Sequence, residues 1–401
     1  MHLVVIGGGA AGFFGAVTAS ALNPSLKVTI LERGAGFLQK VKVSGGGRCN
    51  VTHACFDPRE LIRFYPRGSR EMAGPFTRFG PEETVKWFEQ RGVKLKTESD
   101  GRMFPVTDQS QTIIDCLWQA AKKNGVVVMT SCRVERLSRL AGGQWEIITN
   151  TQPPLVADKV LVTTGSSETI WKLLEQLGHH IIAPVPSLFT FNTKDTRLRE
   201  LAGISVPAAT LEVPALKLQT QGPLLITHWG LSGPAVLRLS AWGARILHDI
   251  NYDFVLKINW AGSGRPEKVL EDLTQIKMAQ AKKQVVTHAQ FGLPQRLWQN
   301  LCTAAAIPAE MRWADTGKKM MADLAGQLCA GQFAIKGKST FKEEFVTAGG
   351  VDLKEVNFKT FESKILPGLY FAGEVLDIDA ITGGFNFQAA WTGGWIAGNS
   401  I

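Results

Sequence analysis

The feature that most restricts what this chain can fold into is residues 2–33. Leu3-Val4-Val5-Ile6 is a short apolar run rich in β-branched residues and reads as a buried strand. Gly7-Gly8-Gly9-Ala10-Ala11-Gly12 follows at once and holds G-x-G-x-x-G at Gly7, Gly9 and Gly12. Residues 13–22, rich in Ala and other small residues, read as a helix that Asn23-Pro24 ends. Lys27-Val28-Thr29-Ile30-Leu31 reads as a second strand ending on Glu32. The first glycine permits the tight turn, the second lets backbone approach a pyrophosphate, and the third lets helix and strand pack closely. The helix start offers free N–H donors and the positive end of its dipole. Glu32 stands where an acid accepts hydrogen bonds from ribose hydroxyls. A glycine-rich turn in some other α/β domain would leave Glu32 without a task. The stretch therefore predicts a dinucleotide-binding unit.

At 401 residues the chain can bury a large core and is expected to split into two or three domains. No run reaches the length of a membrane span, and the amino terminus enters a strand directly, so no signal peptide is expected. Cys49, Cys55, Cys116, Cys132, Cys302 and Cys329 form no C-x-x-C, and no His lies at metal-ligand spacing. This pattern predicts reduced thiols in a cytoplasmic protein without a zinc or iron–sulfur site. The net charge of +9 would suit an acidic partner such as RNA. The basic residues are spread without a dense block, however, so a solvated basic surface offset by an anionic cofactor is the simpler reading, and nucleic acid is not expected.

Further along, Ser44-Gly45-Gly46-Gly47-Arg48-Cys49-Asn50 forms a loop whose backbone can press against a flat ligand. Gly80-Pro81 opens a helix that Gly92 closes. Asp108 with Gln111 resembles a capping box for a helix carrying Ile113, Ile114, Leu117, Trp118 and Ala121 on one face. Residues 133–162 read as a small antiparallel meander leading into the buried strand before Thr164-Gly165. Ser166 is expected to cap the next helix. Pro184-Val185-Pro186-Ser187 reads as a linker, and strands dominate from there to Trp260. Thr227-His228-Trp229-Gly230-Leu231-Ser232-Gly233-Pro234 leads into a helix with Pro at its first position. Gly262-Ser263-Gly264-Arg265 lacks the third glycine and the strand-acid pair of a second dinucleotide loop, so it reads as a helix-entry turn. Helices are expected over 266–279, 294–305 and 318–330, with the chain returning near Phe341. A strand then ends on Gly373-Glu374. Gly383-Gly384-Phe385-Asn386-Phe387 opens a last helix whose amides can face an electron-rich carbonyl.

Taken together, the amino-terminal glycine turn, the 44–50 loop, Thr227-His228-x-Gly230-Leu231-Ser232-Gly233-Pro234 and the Gly373-Glu374 to Asn386 segment resemble the BaiN/YhiN-like bacterial flavoproteins, a family that includes aminoacetone oxidase. The match covers nearly the whole chain. The resemblance implies an α/β fold: a glutathione-reductase-type Rossmann domain for FAD over 1–187 and 340–401. It also implies an inserted β-rich, barrel-like domain over 188–261, returning at 332–339, and a helical insert over 262–331. It places Gly7, Gly9, Ala10, Ala11 and Gly12 on the pyrophosphate, Glu32 on the adenosine ribose and Val134 at the adenine edge. Ser44, Gly45, Gly46, Gly47, Arg48, Cys49 and Asn50 would lie along the ribityl chain and flavin. Gly373 and Glu374 would meet the ribityl or phosphate, and Gly384, Phe385, Asn386 and Phe387 the pyrimidine end. Arg33, Lys40, Thr164 and Gly165 would line the same site. Many relatives have a longer glycine-rich segment after Thr164-Gly165. Here Ser166-Ser167-Glu168 runs straight into a helix, which favours the aminoacetone-oxidase-like branch.

The expected chemistry is hydride transfer from a small organic molecule, such as an amine, to flavin N5. Arg48 or the helix start near Gly384 would favour negative charge at flavin N1. Reoxidation would use oxygen, giving hydrogen peroxide, or another acceptor. One complete nucleotide fingerprint tilts the reading away from an NAD(P)H-driven reductase, although a shared pocket could admit NAD(P)H. An RNA-associated flavoprotein rests on the basic balance alone. His228 and Cys49 are candidates for acid–base or thiol chemistry, with helix-entry bonding and packing as the plainer roles.

Overall fold

The structure is a computed structural model and describes residues 1–262, 265–339 and 346–401. The chain divides into two compact units, residues 1–185 with 346–401, and residues 186–345.

The first unit is built on five parallel strands. In spatial order they are Leu369–Phe371, Lys159–Val162, His2–Ile6, Lys27–Leu31 and Val127–Met129. Two short antiparallel strands, Val356–Asn357 and Glu362–Ser363, extend one edge. The chain starts at the centre, builds outward to one side, then returns to build the other. His2–Ile6 and Lys159–Val162 therefore flank the point where the order reverses, where α/β sheets hold ligands at their carboxyl ends. Leu3, Val4 and Val5 are wholly buried, as a strand covered on both faces requires.

One covering layer joins the two chain ends. The helix Ala10–Leu22 packs against the carboxyl-terminal helix Phe385–Ser400. The approach is backbone to backbone: a Cβ added at Gly394 would lie 2.6 Å from the Ala11 carbonyl, and one at Gly398 would lie 2.6 Å from that of Gly15. Small residues on both helices permit this contact. The meander takes the expected place as Val134–Arg139, Trp145–Thr149 and Leu155–Ala157, paired antiparallel. The segment that reads as a linker is instead the end of a strand, Ile181–Ser187, paired with Val346–Val351. Proline at 184 and 186 is compatible with this because a two-stranded sheet consists only of edges.

In the second unit seven antiparallel strands run in the order Gly331–Lys336, Asp253–Asn259, Ser205–Val213, Leu218–Ile226, Gly230–Ser232, Thr190–Asn192 and Lys338–Ser339. The first and last of these are consecutive in sequence. Gly337 between them donates to the Tyr252 carbonyl at 2.9 Å and accepts from Asn192 N at 3.0 Å, so the sheet closes on itself as a barrel. Helices Pro266–Ala279, Gln295–Ala304 and Lys318–Ala330 share one apolar core with it, including Leu256, Ile258, Trp298, Leu301 and Leu324. Two sequence readings, the turn at Ser263-Gly264 and the return near Phe341, lie outside the described residues. Among the described residues no helix is long and apolar enough to cross a membrane.

Candidate flavin site

The amino-terminal turn is shaped by backbone contact with Thr163, at the end of the neighbouring strand. Gly7 has φ +112°, and a Cβ there would lie 2.7 Å from the Thr163 carbonyl; a Cβ at Gly12 would lie only 2.1 Å from the carbonyl of Gly7. Gly9 differs, because its added Cβ would meet nothing nearer than 4.0 Å. Gly9 thus keeps the ground in front of the helix start clear, where the first-turn amides of Ala10, Ala11 and Gly12 are directed. Thr163, which sequence reasoning passed over, donates its hydroxyl to Gly7 O at 2.8 Å.

Glu32 does more than the sequence suggested. One carboxylate oxygen accepts from Gly8 N at 2.8 Å and the other from Gly34 N at 2.7 Å. It therefore fixes the glycine turn, and each oxygen keeps a second lone pair for a ribose hydroxyl. The Glu32 carbonyl accepts from Cys132 N at 2.8 Å, which brings the start of the meander beside it. Val134 follows there with its side chain buried, while Arg33 is exposed.

In the second glycine loop the helix Gln39–Gly47 breaks at Ser44, Gly45 and Gly46, and Gly47 continues with φ +85°. A Cβ added at Gly46 or Gly47 would meet no atom within 4 Å, so this backbone lies bare to open space, as contact with a flat ring requires. Cys49 is fully buried, and burial pushes its thiol up to about 12, partly offset by Ser44. It stays protonated and is not a nucleophile. Arg48 places Nη1 2.6 Å from Glu98 Oε1 and 3.5 Å from Asp108 Oδ1, with its guanidinium 3.9 Å above the Phe104 ring. The hydrogen bond it donates to Glu98 is the main cause that raises its pKa. Its charge is thus matched locally. Asp108, ion-paired with Lys96 and Arg48, does not cap the helix Ser110–Lys123, which starts without a side-chain cap. The capping-box reading fails because two cations compete for that carboxylate.

The carboxyl-terminal segment meets both of these regions. Gly373 abuts the amino-terminal helix, its added Cβ falling 3.2 Å from Ala11 Cβ. Glu374 accepts from Lys40 Nζ at 2.6 Å and from Thr347 N at 3.1 Å, and Gly165 lies beside it. Thr164 precedes Gly165 and is half-buried. The helix Phe385–Ser400 begins at Gly384 (φ +94°), where a Cβ would stand 2.6 Å from the Thr52 carbonyl. With its amide nitrogen assigned to the Thr52 side, the orientation that satisfies both neighbours, Asn50 bridges the two segments, donating to Thr52 O and accepting from Gly384 N, both at 3.0 Å. Trp391 Nε1 donates to Val51 O at 2.9 Å, and Thr52 Oγ1 donates to Gln388 Oε1 at 2.6 Å. The side chains expected at the pyrimidine end are largely occupied. Asn386 exchanges two hydrogen bonds with the Ala380 backbone, and Phe387 stacks on Trp391 at 5.6 Å. Phe385 stacks on Phe64 at 4.3 Å and on His53 at 4.6 Å. What the helix start offers a ligand is backbone N–H at 385–387 and about half a positive charge. His53 carried no motif and was missed. Its Nε2 is 3.0 Å from the Asp100 carbonyl, and burial lowers its pKa, so it is held neutral. His228 belongs to the second unit and is exposed.

These residues fit FAD. There is clear ground at Gly9 before a helix start, a carboxylate at the ribose position, bare backbone at Gly46–Gly47 for a flat ring, and a second helix start beside that loop. The chain matches the model of the HI0933-like protein Rossmann domain over residues 1–400. It is 27% identical over 410 residues to the ribosomal RNA dihydrouridine synthase of Haemophilus influenzae, covering 99% of this chain and 98% of that one. It is 27% identical over 419 residues to the 3-dehydro-bile acid delta(4,6)-reductase of Clostridium scindens, again with 99% and 98% covered. Among solved structures, the 3-ketosteroid-delta4-(5alpha)-dehydrogenase of Rhodococcus jostii RHA1 shares the fold with a TM-score of 0.52 at 15% identity, covering 99% of this chain and 96% of that one. The chain belongs to the HI0933-like family, the BaiN/YhiN-like flavoproteins, and is an FAD-dependent oxidoreductase.

Proposed function

We propose that this chain is a reductase that saturates a carbon–carbon double bond conjugated to a carbonyl, and that the bond is the C5=C6 bond of uracil in RNA. The observation that carries this reading is full-length likeness to two relatives whose names describe such reductions. Dihydrouridine is uridine with that bond saturated, and a 3-dehydro Δ4,6 compound has its double bonds conjugated to a ketone. Charge favours RNA over a steroid acid. The net charge is +9, and residues 186–345 hold 19 Lys and Arg against 13 Asp and Glu. RNA, the weaker alternative on sequence alone, moves ahead of the amine.

When bound, FAD supplies reversible hydride transfer at N5. The chain's own residues orient and tune. Gly46 and Gly47 leave room for the ring, and the amides at 385–387 favour negative charge at its pyrimidine end. Arg48 is neutralised by Glu98 and Asp108 and contributes little to that field. The substrate gains one hydride and one proton, and NAD(P)H supplies the electron pair.

The test is anaerobic incubation of the holoprotein with NADPH or NADH and ribosomal RNA lacking dihydrouridine, followed by nucleoside mass spectrometry. The expected result is reduced flavin with NAD(P)H and new dihydrouridine. Bleaching by amines alone, with peroxide formed in air and no change in RNA, would overturn this reading and restore the amine-oxidase one that the resemblance first suggested.

A further inference from the structure

The first turn of the helix Phe385–Ser400 rests on a buried network of hydroxyls around one amide. Gln388 lies one turn beyond Gly384 and donates its backbone N–H to the Gly384 carbonyl at 3.0 Å. Its side chain is fully buried and meets three threonines that are fully buried too. Thr52 Oγ1 is 2.6 Å and Thr84 Oγ1 is 3.0 Å from Gln388 Oε1, and Gln388 Nε2 is 3.1 Å from Thr392 Oγ1. Each bond fixes the direction of the next. Thr392 has one hydroxyl proton, and the carbonyls of Phe79 and Gln388, each 2.8 Å away, can only accept it. Thr392 therefore accepts from Gln388, which puts the amide nitrogen on that side. The amide oxygen, with two lone pairs, is left for the hydroxyls of Thr52 and Thr84.

An apolar side chain of the same size would fill this space without desolvating an amide. What the amide adds is register between three segments: residue 52, residues 79–84 and the helix start. The contacts close a triangle. Gln388 holds Gly384 through its backbone and Thr52 through its side chain, and the Thr52 carbonyl is the surface against which Gly384 is pressed. Loosening the Thr52 hydroxyl thus loosens the N–H groups at 385–387. Their distance from a bound ring sets how strongly negative charge on it is favoured.

We propose that Gln388 is a positioning residue that tunes the bound flavin, by fixing the amides at 385–387 against Thr52. This rests on the flavin's pyrimidine end lying at that helix start. The test is the two-electron reduction potential of FAD in the holoprotein and its variants, measured anaerobically against a reference dye. Gln388→Met keeps the volume and removes the acceptor. It should weaken the preference for reduced flavin about tenfold, which is about 30 mV for a two-electron couple. FAD affinity, carried by the remote 7–12 turn, should stay within about threefold. Thr84→Val removes one hydroxyl on the neighbouring helix Pro81–Glu89 and should shift the same equilibrium about threefold in the same direction. Thr84→Ser should keep the wild-type potential. Should Gln388→Met fail to fold, Thr84→Val reads the same quantity. Wild-type potentials in every variant that holds flavin, whatever their melting temperatures, would leave the network a purely structural role and overturn the proposal. Amide exchange at 385–387 in the wild type separates this from a misplaced ring. Protection by FAD together with unchanged potentials overturns the proposal alone, and no protection there overturns the placement with it.

Discussion

Two glycine turns open helices in the flavin unit, and they reach similar geometry by different means. At residues 7–12 the steric partners are Gly7 and Thr163, each the residue that follows one of two adjoining parallel strands. At residues 383–387 the partner is the Thr52 carbonyl, more than three hundred residues earlier in the chain. The first turn is also held by an acid, Glu32, through Gly8 N. The second is held by an amide, Asn50, through Gly384 N, and no acid shares its helix dipole. The first turn has the chemistry of a diphosphate cradle steadied by a carboxylate. The second keeps its positive end for a ring carbonyl.

The largest expected effect is at Gly12. Gly12→Val puts Cβ into the Gly7 carbonyl and should cost about 3 kcal/mol or more, giving colourless protein by the ratio of flavin to protein absorbance. Gly384→Ala should come next, because the clash with Thr52 adds to a left-handed φ that costs about 1–2 kcal/mol. Thermal denaturation should fall by several degrees, together with flavin content. A variant that loses flavin and keeps its melting temperature would show that the second turn is not braced by residues 50–52.

Glu32→Ala should weaken FAD binding by about tenfold or more, since two charge-assisted bonds of about 1.5–3 kcal/mol each hold the turn it removes. Unchanged affinity in a flavin titration would remove Glu32 from the site. Arg48→Met should leave FAD affinity within about twofold, because Glu98 and Asp108 already match the charge. A large fall in flavin reduction potential would mean that the cation acts on the ring after all.

The smallest effect concerns Cys49. Its folded pKa is raised by burial, so its contribution to stability is complete below the ordinary thiol value near 9 and is lost as pH rises toward about 12. Native protein at pH 8 should leave this thiol unmodified by a thiol reagent, and unfolding should release it. Rapid native labelling at Cys49 would mean that the 44–50 loop opens.

The legible parts of this chain are those whose partners are set by local periodicity. The strand–turn–helix of residues 2–33 is one, and the meander after Val134 is another. What resisted reading depends on distant contacts. Asp108 looks like a cap until Lys96 and Arg48 arrive beside it. Pro184 and Pro186 look like a linker until residues 346–351 pair with them. The Asn386 side chain looks free for the flavin until Ala380 takes both of its amide groups, which leaves the residue's backbone N–H for that role. Thr163 and His53 carry no motif, and only the fold shows that one steadies the first turn and the other stacks against the second. The closing of the barrel through Gly337 was likewise beyond any local pattern.

The central claim is that two remote glycine turns hold one FAD, and amide hydrogen exchange tests it directly. One equivalent of FAD added to apoprotein should slow exchange at residues 10–12 and at 385–387 together, saturating at the same concentration. Protection confined to the amino-terminal turn, with the amides at 385–387 exchanging as in the apoprotein, would contradict it.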